Sequence, residues 1–85
     1  MPRVEIYTKA FCPYCSRAIA LLKRKGVMFD EHDITMGGPD RAIMLDRARG
    51  RSTVPQVFVG ERHIGGSDDL AAAEASGELD RLLAA

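Results

Sequence analysis

Connection lengths constrain this chain first. Only Gly60 and Glu61 separate the apolar run Gln56–Val59 from a second extended run at 62–64. A two-residue linker of that kind permits an antiparallel hairpin. The earlier extended runs, at 3–8 and 27–34, are separated by a helical pattern, and another such pattern lies between 27–34 and 56–59. Crossovers of helical length pair strands in parallel. The resulting order, β-α-β-α-β-β-α, predicts an α/β chain: a mixed four-stranded sheet flanked by helices on both faces. The 85 residues suit one small domain spanning 1–85, with no repeat or linker to divide it.

Local patterns fill in this scheme. Residues 3–8 alternate, with Val4 and Ile6 on one side and Glu5 and Tyr7 on the other, which is a strand of period two. Pro13 suits the first turn of a helix, where a missing N–H costs nothing. Cys15, Ala18, Ile19 and Leu22 form its apolar stripe, and Gly26 ends it. The polar run 30–33 marks residues 27–34 as a sheet edge. Pro39 opens a second helix, reaching about 49 on Ala42, Ile43, Leu45 and Ala48, with Gly50 as its stop. A last helix begins with Ser67 or Asp68 as cap, is interrupted at Gly77, and resumes for a turn or two on Leu79, Leu82 and Leu83.

Composition removes several function classes. Lys plus Arg and Asp plus Glu number 12 each, so the basic face that nucleic acid requires is not expected. No apolar run approaches the roughly 18 residues of a spanning helix, and no signal-peptide pattern is visible. A cytoplasmic chain follows, where reductants keep thiols free and a lone Cys-x-x-Cys is catalytic or metal-binding rather than a staple.

The chemistry concentrates in Cys12-Pro13-Tyr14-Cys15, which holds the only two cysteines. Cys12 precedes Pro13, so its sulfur meets the free N–H groups of the first turn. Cys15 lies one turn in, on the apolar stripe, and is expected to be more buried. This asymmetry makes Cys12 the attacking thiol and Cys15 the resolving one, with Lys9 adding positive charge nearby. A helix N-terminus lowers a thiol pKa. For a drop from ~8.5 to ~5.5, the thiolate fraction at pH 7 rises about thirtyfold while intrinsic nucleophilicity falls roughly fifteen- to thirtyfold. The gain is therefore in departure rather than attack. A closed zinc site wants four ligands, and Cys12, Cys15, His32 and His63 match no ordinary finger spacing. His32 and His63 are read as surface residues on strands, and no metal is expected.

Two distant stretches offer a docking surface. Pro55 stands just before a strand; a cis bond there would free the Val54 N–H and C=O to pair with an extended thiol peptide. Gly66-Ser67-Asp68 opens a helix whose N–H groups can hold a carboxylate while the Asp68 side chain holds an ammonium. The same residues also suit a plain helix cap.

Together these stretches resemble the glutaredoxins. The resemblance covers nearly the whole chain and rests on Val4-Glu5-Ile6-Tyr7-Thr8-Lys9, Cys12-Pro13-Tyr14-Cys15, Thr53-Val54-Pro55-Gln56-Val57-Phe58 and Gly65-Gly66-Ser67-Asp68-Asp69-Leu70. It is similar to the short bacterial dithiol members. The resemblance implies a thioredoxin-like fold with a cis proline at Pro55. It also implies a glutathione-dependent thiol–disulfide oxidoreductase acting on glutathione mixed disulfides and protein disulfides, ribonucleotide reductase among the possible partners, and working as a monomer. By the same resemblance, glutathione would be held by Lys9, Cys12, Tyr14, Thr53, Val54, Pro55, Gly66, Ser67 and Asp68, with Arg41 as a further basic side chain from the second helix. The alternatives are a redoxin reduced by thioredoxin reductase and an iron–sulfur cluster carrier. The chain lacks the Ser-Gly-Phe-Arg-Pro stretch of the first and the Cys-Gly-Phe-Ser site typical of the second, and Ser67 stands where many relatives carry a further cysteine.

Overall fold

A computed structural model describes residues 2–85. The elements are β1 (Val4–Thr8), α1 (Pro13–Arg24), β2 (Phe29–Asp33), α2 (Pro39–Arg47), β3 (Gln56–Val59), β4 (Arg62–Gly65), α3 (Ser67–Ser76) and α4 (Glu78–Ala84). The sheet order is β2-β1-β3-β4. β1 pairs in parallel with β2 and antiparallel with β3, and β3 pairs antiparallel with β4. The polar strand β2 is an edge, as its charges suggest. Among the described residues, no helix is long and apolar enough to cross a membrane.

One crossover departs from expectation. The helix between β2 and β3 does not make them parallel neighbours. β2 ends with Asp33 opposite Thr8, and β3 begins with Gln56 opposite Tyr7. The nine-residue α2 and the loop after it thus return the chain to the end of the sheet that it left. A crossover must carry the chain back to the opposite end before a parallel strand can start.

β1 is buried along its whole length, which corrects the one-sided alternation read from sequence. Val4 and Ile6 pack into a large apolar cluster with Leu22, Val57, Leu70 and Leu79. On the other face, Tyr7 packs with Ile34, Met44, Ala48 and Phe58 under α2. Met44, fully buried, anchors that helix, whereas Ile43 is about half exposed and Ala42 faces solvent. On α1 the buried stripe includes Leu21, and Ile19 is only partly covered.

The α2 face carries charge. Glu5, with its side chain 10% exposed, pairs with Arg47 at 3.0 Å and with His32 at 3.1 Å. Arg47 also donates to the Tyr7 hydroxyl at 3.0 Å and lies 4.1 Å above the Phe58 ring. Burial alone raises the Glu5 carboxyl, but the hydrogen bonds from Arg47 and His32 outweigh it and hold it below its usual range. His32 is thus half-buried and bonded rather than a free surface residue. Removing one partner leaves a buried charge uncompensated. Arg47→Met should therefore cost roughly 3 kcal/mol, the low end for a buried pair because Arg47 is partly exposed. The double variant Glu5→Leu/Arg47→Met should recover most of it. Urea unfolding midpoints of the two variants decide the point.

Candidate active site

A sharp turn delivers Cys12 to its helix. Phe11 has φ +57°, a left-handed conformation unusual for a bulky residue, and its side chain is fully exposed. The loop is tied down from β2's end: Ala10 N–H donates to Thr35 Oγ1 at 2.8 Å, and the Thr35 hydroxyl donates to Asp33 at 2.6 Å. Cys12 then caps α1. Its backbone is extended, Pro13 follows at the first helical position, and its sulfur accepts the Cys15 N–H at 3.2 Å. A sulfur so placed receives one of the first-turn N–H groups that have no partner within the helix.

The second thiol is in a different environment. Cys15 is 3% exposed, Cys12 is partly exposed, and both are free thiols. Burial pushes the Cys15 thiol up to about 12, and its hydrogen bond with Cys12 adds to the shift, against an opposing backbone N–H bond from Lys9. The asymmetry read from the helical stripe is present.

The chain from 51 to 55 closes the other side. The Val54–Pro55 bond is cis, and the Cys12 sulfur lies 3.9 Å from the Val54 carbonyl oxygen. A groove of about 350 Å³ opens there, lined by Tyr14, Thr53, Val54, Pro55, Gly66, Ser67 and Asp68 of the predicted set. Cys12, Lys9 and Arg41 are not among its lining residues; Cys12 meets it only through the Val54 carbonyl, and Lys9, on the loop before Cys12, and Arg41, early in α2, are exposed.

Two residues lining the groove were not anticipated, Arg51 and Asp69. They pair at 3.3 Å. Asp69 also accepts the Gly66 N–H at 2.9 Å, and that bond, with Arg51, holds its carboxyl below the ordinary range. The cap of α3 is therefore Gly66, not Ser67 or Asp68; glycine offers no side chain, so Asp69 reaches back instead. An acid three residues into a helix is the sequence signal for this. Gly65, at φ +118°, is required: a Cβ there would meet the Asp69 carboxylate and come within 2.9 Å of Arg51. Among the described residues, no group of three or more His, Cys, Asp or Glu side chains is placed to hold a metal ion.

The fold and site define a class, the thioredoxin-like proteins: a mixed sheet with a Cys-x-x-Cys at a helix start facing a cis proline. Comparison with known proteins narrows it. The glutaredoxin family model matches residues 4–64. Glutaredoxin 3 of Escherichia coli K12 is 55% identical over 83 residues, covering 98% of this chain and 99% of that one. The solution structure of glutaredoxin from Brucella melitensis is 53% identical with a TM-score of 0.82, over 98% of this chain and 89% of that one. The crystal structure of a buckwheat glutaredoxin–glutathione complex is 30% identical with a TM-score of 0.83, over 98% and 77%. The chain belongs to the glutaredoxin family, and it is a thiol–disulfide oxidoreductase.

The Cys15 shift has a testable sign. Its native pKa lies above the unfolded value of ~8.5, so the native state holds the proton longer. Stability is complete below ~8.5 and declines as pH rises toward 12. Under reducing conditions, urea midpoints should fall between pH 8.5 and 10.5 more steeply than those of Cys15→Ala. Parallel slopes would remove the burial argument.

Proposed function

We propose that this glutaredoxin uses glutathione as its reductant, with Cys12 as the attacking thiol and Cys15 as the resolving one. The observation that carries the proposal is the Cys12 sulfur at the α1 cap, against the Val54 carbonyl at the groove, with Cys15 buried behind it.

On a glutathionylated protein, the Cys12 thiolate attacks the glutathione sulfur. The old disulfide breaks, the protein thiol leaves and takes up a proton, and Cys12 carries glutathione. A second glutathione thiolate then attacks that glutathione sulfur. Glutathione disulfide departs and the Cys12 thiolate returns, its negative charge received by the N–H groups at the helix start. On a protein disulfide, Cys12 first forms a mixed disulfide with the substrate. Cys15 then gives up its proton, attacks the Cys12 sulfur and releases the reduced substrate. Two glutathiones reduce the Cys12–Cys15 bond in turn. Because burial raises the Cys15 thiol, this route costs a deprotonation that the first avoids.

The groove suits glutathione chemically. The N–H groups at Gly66-Ser67-Asp68 can take the γ-glutamyl carboxylate, the Asp68 side chain its ammonium, and the Val54 backbone the cysteinyl unit. Lys9, on the loop before Cys12, presents a cation for the glycyl carboxylate. The buckwheat protein named for its glutathione complex supports this reading by likeness. The proposal extends to residues 1–85 acting as one domain and a monomer, in the cytoplasm, on glutathionylated or disulfide-bonded proteins such as ribonucleotide reductase.

With NADPH as electron source, turnover should require glutathione and its reductase; turnover with thioredoxin reductase alone would overturn the assignment. Cys12→Ser should abolish all exchange. Cys15→Ser should keep deglutathionylation and lose protein-disulfide reduction, and equal losses would contradict the division of roles. Asp68→Ala should raise the glutathione KM about tenfold, the worth of one charge-assisted hydrogen bond, measured in the same coupled assay.

A further inference from the structure

Thr53 lines the groove beside the Val54 carbonyl, in a stretch with no regular secondary structure. Its position is held from beneath by one side chain. Gln56 is wholly buried at the start of β3, and its amide nitrogen donates to the Thr53 carbonyl at 2.9 Å and to the Thr53 hydroxyl at 3.2 Å. That leaves the Gln56 carbonyl oxygen, equally buried, in need of a donor. It finds one in His63 Nε2 at 2.6 Å.

The roles of these atoms follow from chemistry. The Thr53 carbonyl can only accept, so the amide nitrogen of Gln56 must face it and the oxygen must face His63. An oxygen at 2.6 Å from an imidazole nitrogen requires a hydrogen there, so His63 carries its proton on Nε2 and leaves Nδ1 bare when neutral. The ring is itself held: it stacks on Phe58 at 4.8 Å and 22°, its partner across the β3–β4 ladder, and Arg47 covers Phe58 at 4.1 Å. Burial, then the nearby Arg51, Arg49 and Arg47, lower the His63 pKa against the opposing pull of Asp69, which favours the neutral ring. His63 does not line the groove.

We propose that His63 is a positioning residue for glutathione recognition: by donating to Gln56 it locks the amide that clamps Thr53 at the groove wall. This rests on the glutathione reading of the groove. Without the His63 donor, the buried Gln56 oxygen is unpaired, the amide loses its fixed orientation, and the wall next to Val54 loosens. Cys12 and its helix are untouched, so substrate capture suffers and exchange at saturation does not.

His63→Phe keeps the stack on Phe58 and removes the donor; His63→Gln restores an N–H near the Nε2 position. With a glutathionylated peptide, His63→Phe should raise KM about fivefold with kcat unchanged, the size of one lost hydrogen bond. His63→Gln should recover most of the loss. Independently of turnover, nitrogen-15 NMR of the ligand-free wild type at pH 7.5 should show His63 protonated on Nε2 only. It should also show the Gln56 amide protons as two distinct, exchange-protected signals. An Nδ1–H tautomer, freely exchanging Gln56 protons, an unchanged KM in His63→Phe, or a matching fall in kcat would each overturn the proposal. Failure of the wild type to use glutathione at all would instead overturn the reading on which it rests, and the NMR result would stand apart from it. If His63→Phe does not fold, the tautomer and the Gln56 signals still decide.

Discussion

The antiparallel ladder between β1 and β3 is the constraint on which the site depends. It sets Tyr7 opposite Gln56, so the end of one central strand lies beside the start of the next. From the first end the chain turns through Phe11 into Cys12 and α1. Into the second it arrives through Thr53, Val54 and Pro55. Segments 42 residues apart therefore meet with sulfur and carbonyl 3.9 Å apart. A parallel arrangement would have put Pro55 at the opposite end of the sheet from the thiols. The reactive geometry is thus a product of strand direction, and strand direction depends on where the α2 connection returns the chain.

That ladder also explains why the two thiols differ. α1 packs its inner stripe on the sheet through Ala18, Leu21 and Leu22, and Cys15 belongs to the same stripe one turn earlier. Cys12, at the cap, lies outside it. Packing that stabilises the helix therefore withdraws one sulfur from water and leaves the other at the groove. In exchange between disulfides, a good leaving group matters more than a strong attacker, because gains in thiolate fraction are nearly cancelled by losses in nucleophilicity. The Cys12 sulfur accepts a first-turn N–H at the cap, while burial pushes the Cys15 thiol up to about 12.

Much of this was legible in the residues. The two-residue hairpin, the polar edge strand, the helix after Pro13 and the difference in burial between the cysteines all follow from local pattern and position. What was not legible depended on the far side of the sheet. Glu5 and Tyr7 read only as the side of β1 opposite Val4 and Ile6; in the fold that side is buried too, and a charge inside looks the same in sequence as a charge outside. Met44 rather than Ile43 anchors that helix because the angle at which α2 lies is set by the strands beneath it. Arg51 and Asp69 meet only once β4 and α3 bring residues 18 apart together. The stretch from Gly66 to Asp69 read as a cap or a carboxylate site. Its fold makes Gly66 the cap, with the Asp69 carboxylate bonded back to its N–H, and leaves Ser67 and Asp68 facing the groove.

The two faces of the sheet divide labour. The face under α1, α3 and α4 is almost wholly apolar, and its burial drives folding without specifying fine geometry. The α2 face instead carries Glu5, Arg47, Tyr7, His32, Gln56 and His63, joined by hydrogen bonds and ring contacts. Buried polar groups are costly unless paired, and each accepts few arrangements. Such a layer is therefore poorly suited to adding stability and well suited to fixing orientation. It is this layer, through Gln56, that reaches the groove at Thr53. The oily face supplies the fold that presents Cys12, and the polar face holds the groove wall at Thr53.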